Sequence, residues 1–270
     1  MALPEVTLHP TIDRAWLEQL VDRDPSLHAF SLWDLDRFPT QVRFVSARVG
    51  EETIGYLLVW LGAPTSPIVH WFGETAAARV LVSGLPAPPF GVVVPESVRA
   101  FVQPQLAPSE VVPLRLMEVP READLADEPL DPAVRKLTGA DRPQLLHLTG
   151  NAPEFAASAY PSIDPDQEPV WGYFENARLR GVARTSVRTP RVWMITGVYV
   201  DPEARSRGYG LAITRAVLTE GHQAHATVGL YVREDRPAPR AVYVKAGFRE
   251  RARRTWLGVG ASLEPAPARG

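Results

Sequence analysis

The segment that most constrains this chain is residues 198–212, Val-Tyr-Val-Asp-Pro-Glu-Ala-Arg-Ser-Arg-Gly-Tyr-Gly-Leu-Ala. The hydrophobic run Val192–Val200 predicts a strand. Asp201-Pro202 ends it, because proline fixes its own φ and brings no N–H to a ladder. Arg205-Ser206-Arg207-Gly208-Tyr209-Gly210 follows, and Leu211, Ile213, Val217 and Leu218 then take up helical spacing. A strand that feeds a basic, glycine-bearing turn and then a helix N-terminus is suited to an anion. The first N–H groups of a helix have no internal partner and lie at the positive end of its dipole. Glycines let the backbone come close to a phosphate, and arginines add charge. The turn lacks the Gly-Lys-Ser/Thr ending of a P-loop, and its glycine spacing is not that of a dinucleotide fingerprint.

Downstream, Thr227–Arg233 alternates as a strand. Asp235-Arg236-Pro237-Ala238-Pro239-Arg240-Ala241-Val242-Tyr243-Val244-Lys245-Ala246-Gly247-Phe248 then predicts a helix with proline in its first turn and glycine as its stop. The first of these elements matches Arg/Gln-x-x-Gly-x-Gly/Ala, and the second is similar to Asn-x-x-Ala-x-x-x-Tyr-x-x-x-Gly-Phe. Together they resemble the GNAT superfamily of N-acetyltransferases. The resemblance covers about residues 134–258, with its motifs in 198–248. It implies an α/β architecture with a mixed sheet, the acyl-CoA N-acyltransferase fold, and acetyl-CoA as cosubstrate without a metal. Carried over position by position, it implies cofactor contacts from Val198, Tyr199, Val200, Arg205, Ser206, Arg207, Gly208, Tyr209, Gly210, Leu211 and Arg236. Arg236 stands where the family often has asparagine. Tyr243 aligns with the tyrosine that protonates the leaving thiolate of coenzyme A, a task that suits a neutral phenol. Some members place a glutamate four residues before the position of Val198; here that residue is Met194. Glu154, Glu168 and Glu175 remain as carboxylates for the base.

The resemblance implies that the acceptor is an amine, on a small molecule or a peptide. From Pro143 to Ala177 there is no Lys or Arg, while Glu154, Asp164, Asp166, Glu168 and Glu175 are present, a charge balance that attracts a cation. An acyl-CoA-binding sensor without turnover is the alternative. A structural protein with two degenerate halves is a third reading, against which the intact turn argues. The net charge of −2 gives no footprint for nucleic acid, and no apolar run reaches the length of a membrane span. The absence of cysteine excludes disulfides, thiolate metal sites and a cysteine nucleophile, and with no signal-peptide pattern the expected location is the cytoplasm. A homodimer stays open.

The order β-α-β-β-β-α-β-α-β runs through the chain twice, which predicts two tandem GNAT-like domains. The expected division is 1–119, a linker at 120–132, a catalytic domain at 133–260 and a frayed tail at 261–270. In the first half the counterpart of the basic turn is Gly73-Glu74-Thr75-Ala76. A carboxylate there repels a diphosphate, so this half is expected to be a degenerate copy that binds no coenzyme A. An unrelated α+β domain is the other option for it.

Overall fold

Strand and helix periodicities alternate twice along the chain. The computed structural model describes residues 5–63, 66–124, 129–150, 152, 160 and 162–260, and places them in two compact units. Among these residues the first unit holds 5–115 with 252–260, and the second holds 116–251. The division therefore differs from the expected one at both ends. Residues 116–124 join the second unit, because Met117 and Val119 are buried in its core and Ala123 packs against it. The last strand crosses back to the first. Glu154 and the expected tail lie outside the described residues.

The first unit contains β1 (Val6–His9), α1 (Arg14–Arg23), α2 (Ala29–Arg37), β2 (Val42–Val49), β3 (Glu52–Trp60), β4 (Ile68–Gly73), α3 (Thr75–Leu81), β5 (Phe90–Pro95) and α4 (Glu96–Leu106). Its sheet runs β1-β2-β3-β4-β5 and is completed by the chain's last strand, β12 (Arg249–Val259). β12 pairs antiparallel with β5, from Arg254 opposite Pro95 to Val259 opposite Phe90. Side-chain fit explains the choice of partner. The Trp256 ring lies where a Cβ on Gly91 would stand, only 2.0 Å away, so this pairing needs glycine there. Leu257 and Val259 complete the core of Leu57, Val69, Trp71 and Val92. Burying such a side chain stabilises by about 1.5–3 kcal/mol. Tyr56–Trp60 is buried at every position, since cores cover both faces of the sheet.

One of those cores is partly polar. His28 Nδ1 and Ser31 Oγ lie 2.7 and 2.9 Å from the Tyr56 hydroxyl, and His28 and Tyr56 pack on Phe72 with ring centroids 4.7 and 4.5 Å away. Burial, reinforced by the charge of Arg254, pushes both His28 and His70 down to about 3. Each imidazole is thus held neutral below its unfolded value of 6.5, so the unfolded chain binds more protons as the pH falls. The stability is present above pH 6.5 and is lost towards pH 3. Going from pH 7 to pH 5 is expected to destabilise the first unit by about 4 kcal/mol, at roughly 1.4 kcal/mol per pH unit for each ring. Urea unfolding at the two pH values measures it. Equal unfolding free energies would show that the rings take up protons while the unit stays folded.

The second unit contains β7 (Val134–Lys136), α5 (Arg142–Gly150), β8 (Val170–Glu175), β9 (Arg178–Arg188), β10 (Val192–Val200), α6 (Tyr209–Gln223), β11 (Thr227–Arg233) and α7 (Pro237–Lys245). It opens on the end of β6 (Glu110–Val119), and its sheet runs β6-β11-β10-β9-β8-β7. The β8–β9 hairpin closes on Asn176 and Ala177, both at positive φ (50° and 62°), the handedness a two-residue hairpin loop requires. A Thr138–Asp141 capping box precedes α5, and Arg135 grips Asp141 with two bonds of 2.7 Å. One core carries α6 and α7 (Ile213, Val217, Leu230, Tyr243). The other lies under α5 (Leu145, Leu148, Val182, Tyr199).

Candidate functional site

β10 and β11 run parallel and are paired from Val192 opposite Thr227 to Ile195 opposite Leu230. Both continue, to Val200 and Arg233, but their registered pairing ends there. The cause lies on the other edge of β10. Its pairing with β9 shifts between Thr196 and Tyr199, and Gly197 stands at φ 61°, the geometry of a bulge built on glycine. The Tyr160 hydroxyl donates to the Gly197 carbonyl, and a Cβ at Gly197 would come within 2.8 Å of that hydroxyl. A bulge bends its strand, so β10 leaves β11 at this point. Asp201 N donates to Arg180 O at 2.9 Å, which makes Tyr199–Val182 a hydrogen-bonded pair and turns the N–H and C=O of Val200 away from β9. Val200 and the half-buried Val198 thus belong to the parted stretch. Tyr199 does not fit its expected role: its backbone is committed to β9 and its ring is buried in the α5-side core.

Beyond Val200 the chain turns sharply. Asp201 caps a short 3-10 turn (Pro202–Ala204) through Glu203 N, and Arg180 donates to its carboxylate at 2.7 Å. Arg205, Ser206, Arg207 and Gly208 are exposed. Ser206 and Gly208 stand at φ 63° and 88°. Gly208 is the N-cap of α6 and supplies no capping oxygen. The first helical bond runs from Ala212 N to Gly208 O, which leaves the N–H groups of Tyr209, Gly210 and Leu211 without an intrahelical partner. The two arginines differ. Arg205 Nε donates to Val200 O at 3.3 Å, beside the parted strands. Arg207 is held by the Glu175 carboxylate, with one contact of 3.2 Å and a shorter second one. Glu175 also accepts from the Tyr209 hydroxyl at 2.7 Å and lies 3.4 Å from Arg180. The Tyr209 bond and then the Arg207 bond hold Glu175 below the usual carboxylate range, so this acid is a fixed anion and a poor base.

Tyr243 projects from α7 into the core shared by α6 and the sheet, edge-on to Phe248 at 6.1 Å. Burial pushes its phenol up to about 12, which keeps it protonated at neutral pH. Burial also pushes Tyr160 upward, and the Tyr243 phenol adds to that shift. Met194 is buried, and Glu168 lies 3.8 Å from the buried Arg184. Arg236 is exposed at the start of α7. The Gly197 bulge and its tie to Tyr160 do not show in the sequence motifs. A lone glycine inside a strand pattern was the available signal.

The model of the Acetyltransferase (GNAT) family matches residues 136–248, a span that holds β10, the turn, α6, β11 and α7. This segment belongs to the GNAT family. Solved GNAT structures share the fold over nearly the whole chain. A GCN5-related N-acetyltransferase from Sphaerobacter thermophilus has a TM-score of 0.64 at 16 % identity, covering 97 % of this chain and 99 % of its own. A tandem GNAT protein from the clavulanic acid biosynthesis pathway has a TM-score of 0.59 at 17 % identity, covering 96 % and 100 %. A Drosophila protein reaches 0.65 at 12 % identity, covering 94 % and 98 %. The chain therefore has a tandem GNAT fold. No curated protein matches it in sequence.

In the first GNAT-like unit the corresponding strands part in the same way. β4 and β5 pair only from Ile68–Gly91 to His70–Val93, although β4 runs on to Gly73. Here the gap is filled from within. Arg254 on β12, only 4 % exposed, donates to Trp71 O on β4 and, at 3.3 Å, to Val93 O on β5, and its guanidinium lies 5.2 Å from the Phe72 ring centroid. The helix that follows, α3, has Glu74 as its N-cap. Among the described residues no helix is long and apolar enough to cross a membrane, and no cluster of three His, Asp or Glu could hold a metal.

Proposed function

We propose that the second unit is an N-acetyltransferase that moves the acetyl group of acetyl-CoA to a primary amine of a small molecule or peptide. The observation that carries this reading is the parting of β10 from β11 after Ile195 and Leu230, directly before an uncapped helix N-terminus. The diphosphate binds the N–H groups of residues 208–211 with Arg205 alongside. The pantetheine arm adds to the parted edge of β10 at Val198 and Val200, as an extra strand would, and displaces Arg205 from the Val200 carbonyl. The amine nitrogen attacks the thioester carbon in a ternary complex, and a strand N–H in the same stretch holds the developing oxyanion. The C–S bond then breaks, and the thiolate takes its proton from Tyr243. With apolar Met194 and the committed Glu175, the chain offers no base at those two positions, so the amine enters neutral, its surplus proton leaves to water, and Tyr243 regains its proton from water. The reaction needs no metal, and a cysteine-free chain suits the cytoplasm.

The first unit binds no coenzyme A, because Arg254 fills its gap and the N-cap of its helix α3 is an acid, Glu74, where α6 has Gly208. One cofactor per chain is therefore expected by calorimetry; two would show that Arg254 yields. Coenzyme A at 100 times its Kd is expected to stabilise the chain by about 2.7 kcal/mol, read as a thermal shift. Met194 and Glu175 also favour the sensor reading. Release of free thiol from acetyl-CoA across a panel of amines separates the two, since a sensor binds without turnover.

A further inference from the structure

The anion turn contains a contradiction. Glu175, a carboxylate, lies beside it, 2.7 Å from the hydroxyl of Tyr209, the first residue of α6. An uncompensated acid there would repel a diphosphate. It is compensated by Arg207, the turn residue that otherwise supplies charge to the anion, and Arg180 approaches it at 3.4 Å. The turn is also tied at its other end, where Arg180 holds Asp201 at 2.7 Å. Tyr209 stacks on Tyr173 of β8 with ring centroids 3.9 Å apart, and Arg207 lies over the Tyr209 ring at 5.0 Å. Between the two ties the backbone adopts positive φ at Ser206, where a residue with a Cβ is disfavoured and must be held. The whole arrangement fixes the turn to the β8–β9 hairpin.

We propose that Glu175 is a positioning residue for the coenzyme A diphosphate, acting through Arg207 and Tyr209 to hold residues 205–209 in the anion-binding geometry. Arg207 is then an anchor of the turn and not a phosphate ligand. The inference rests on the acetyl-CoA reading above. Attraction for the diphosphate comes from backbone N–H groups and Arg205, while the Glu175–Arg207 pair is close to neutral as seen from the ligand.

A double-mutant cycle on the full chain tests this, with coenzyme A binding followed by calorimetry and acetyl-CoA turnover by thiol release. Arg207→Ala and Glu175→Gln are each expected to weaken binding about tenfold, and the double variant no more than either alone, because both break one unit. KM for acetyl-CoA rises while kcat holds. The salt dependence of Kd stays as in the wild type, since no phosphate contact is lost. Tyr209→Phe removes only the bond to Glu175 and keeps the stacked ring, so it shifts Kd the same way by a smaller factor even if a charge variant folds poorly. Tighter binding by Glu175→Gln, or additive losses with a shallower salt slope in Arg207→Ala, would mean that Arg207 serves the phosphates and would overturn the proposal alone. Failure of the wild-type chain to bind coenzyme A overturns the acetyl-CoA reading, and this proposal with it.

Discussion

Gly208→Glu is expected to raise the coenzyme A dissociation constant about a thousandfold while leaving the fold intact. Gly208 stands at φ 88° as the N-cap of α6, and a Cβ built on it meets nothing within 4 Å. Space is therefore no obstacle, and the exposed position carries little of either core. Two costs remain. A side chain at positive φ costs roughly 1 kcal/mol. A carboxylate about 4 Å from a diphosphate near the surface repels it by about 4 kcal/mol, close to three orders of magnitude in Kd. Gly208→Ala isolates the first cost and is expected to weaken binding by only about fivefold. Calorimetry of both variants, with circular dichroism as the check on folding, reads the difference. Wild-type affinity in Gly208→Glu would remove the anion turn from the site. Equal losses in the two variants would assign the whole effect to backbone geometry.

Local pattern was enough to read most elements. Val192–Val200 and Thr227–Arg233 have the bounds expected of them. Strand partnership was not legible in the same way. Nothing within 249–259 says that this strand lies beside β5, since the fit of Trp256 over Gly91 joins residues far apart in sequence. A cut at the expected linker would therefore separate β12 from the sheet it completes. Polar burial was equally hidden. Arg254 ends the arginine-rich run 249–254, yet it is 4 % exposed because two parted strands offer it their carbonyls.

The candidate site was legible as a motif and less so as a network. Gly208 and Gly210 mark the turn, and Tyr243 follows from its spacing to Gly247 and Phe248. Which arginine faces the ligand depends on Glu175, thirty-odd positions earlier, and the sequence gives no sign that Arg207 turns to it. Gly210 also shows the limit of reading glycines alike. It carries no positive φ, and a Cβ there meets Val200 at an ordinary 3.6 Å, so it is less demanding than Gly208. The bulge at Gly197 lies between these cases. Its glycine is visible in the sequence, but its partner Tyr160 comes from another part of the chain.

Tyr243→Phe is expected to lower kcat by about 10²–10⁴-fold with little change in the Kd of coenzyme A, the usual range for losing a general acid. The substitution removes one hydroxyl and keeps the ring that packs edge-on to Phe248 at 6.1 Å, so the α6–α7 core stays filled. The pH profile distinguishes the roles this phenol could play. Because burial pushes Tyr243 up to about 12, it stays protonated through neutral and mildly basic pH. The wild-type rate then rises as the acceptor amine loses its proton and shows no fall from Tyr243 up to about pH 10. The variant keeps the shape of that profile at a lower amplitude. If Tyr243 acted as a phenolate base, the variant would instead lose the rise at high pH. If it only packs, kcat would match the wild type, and the thiolate would be leaving without help from α7.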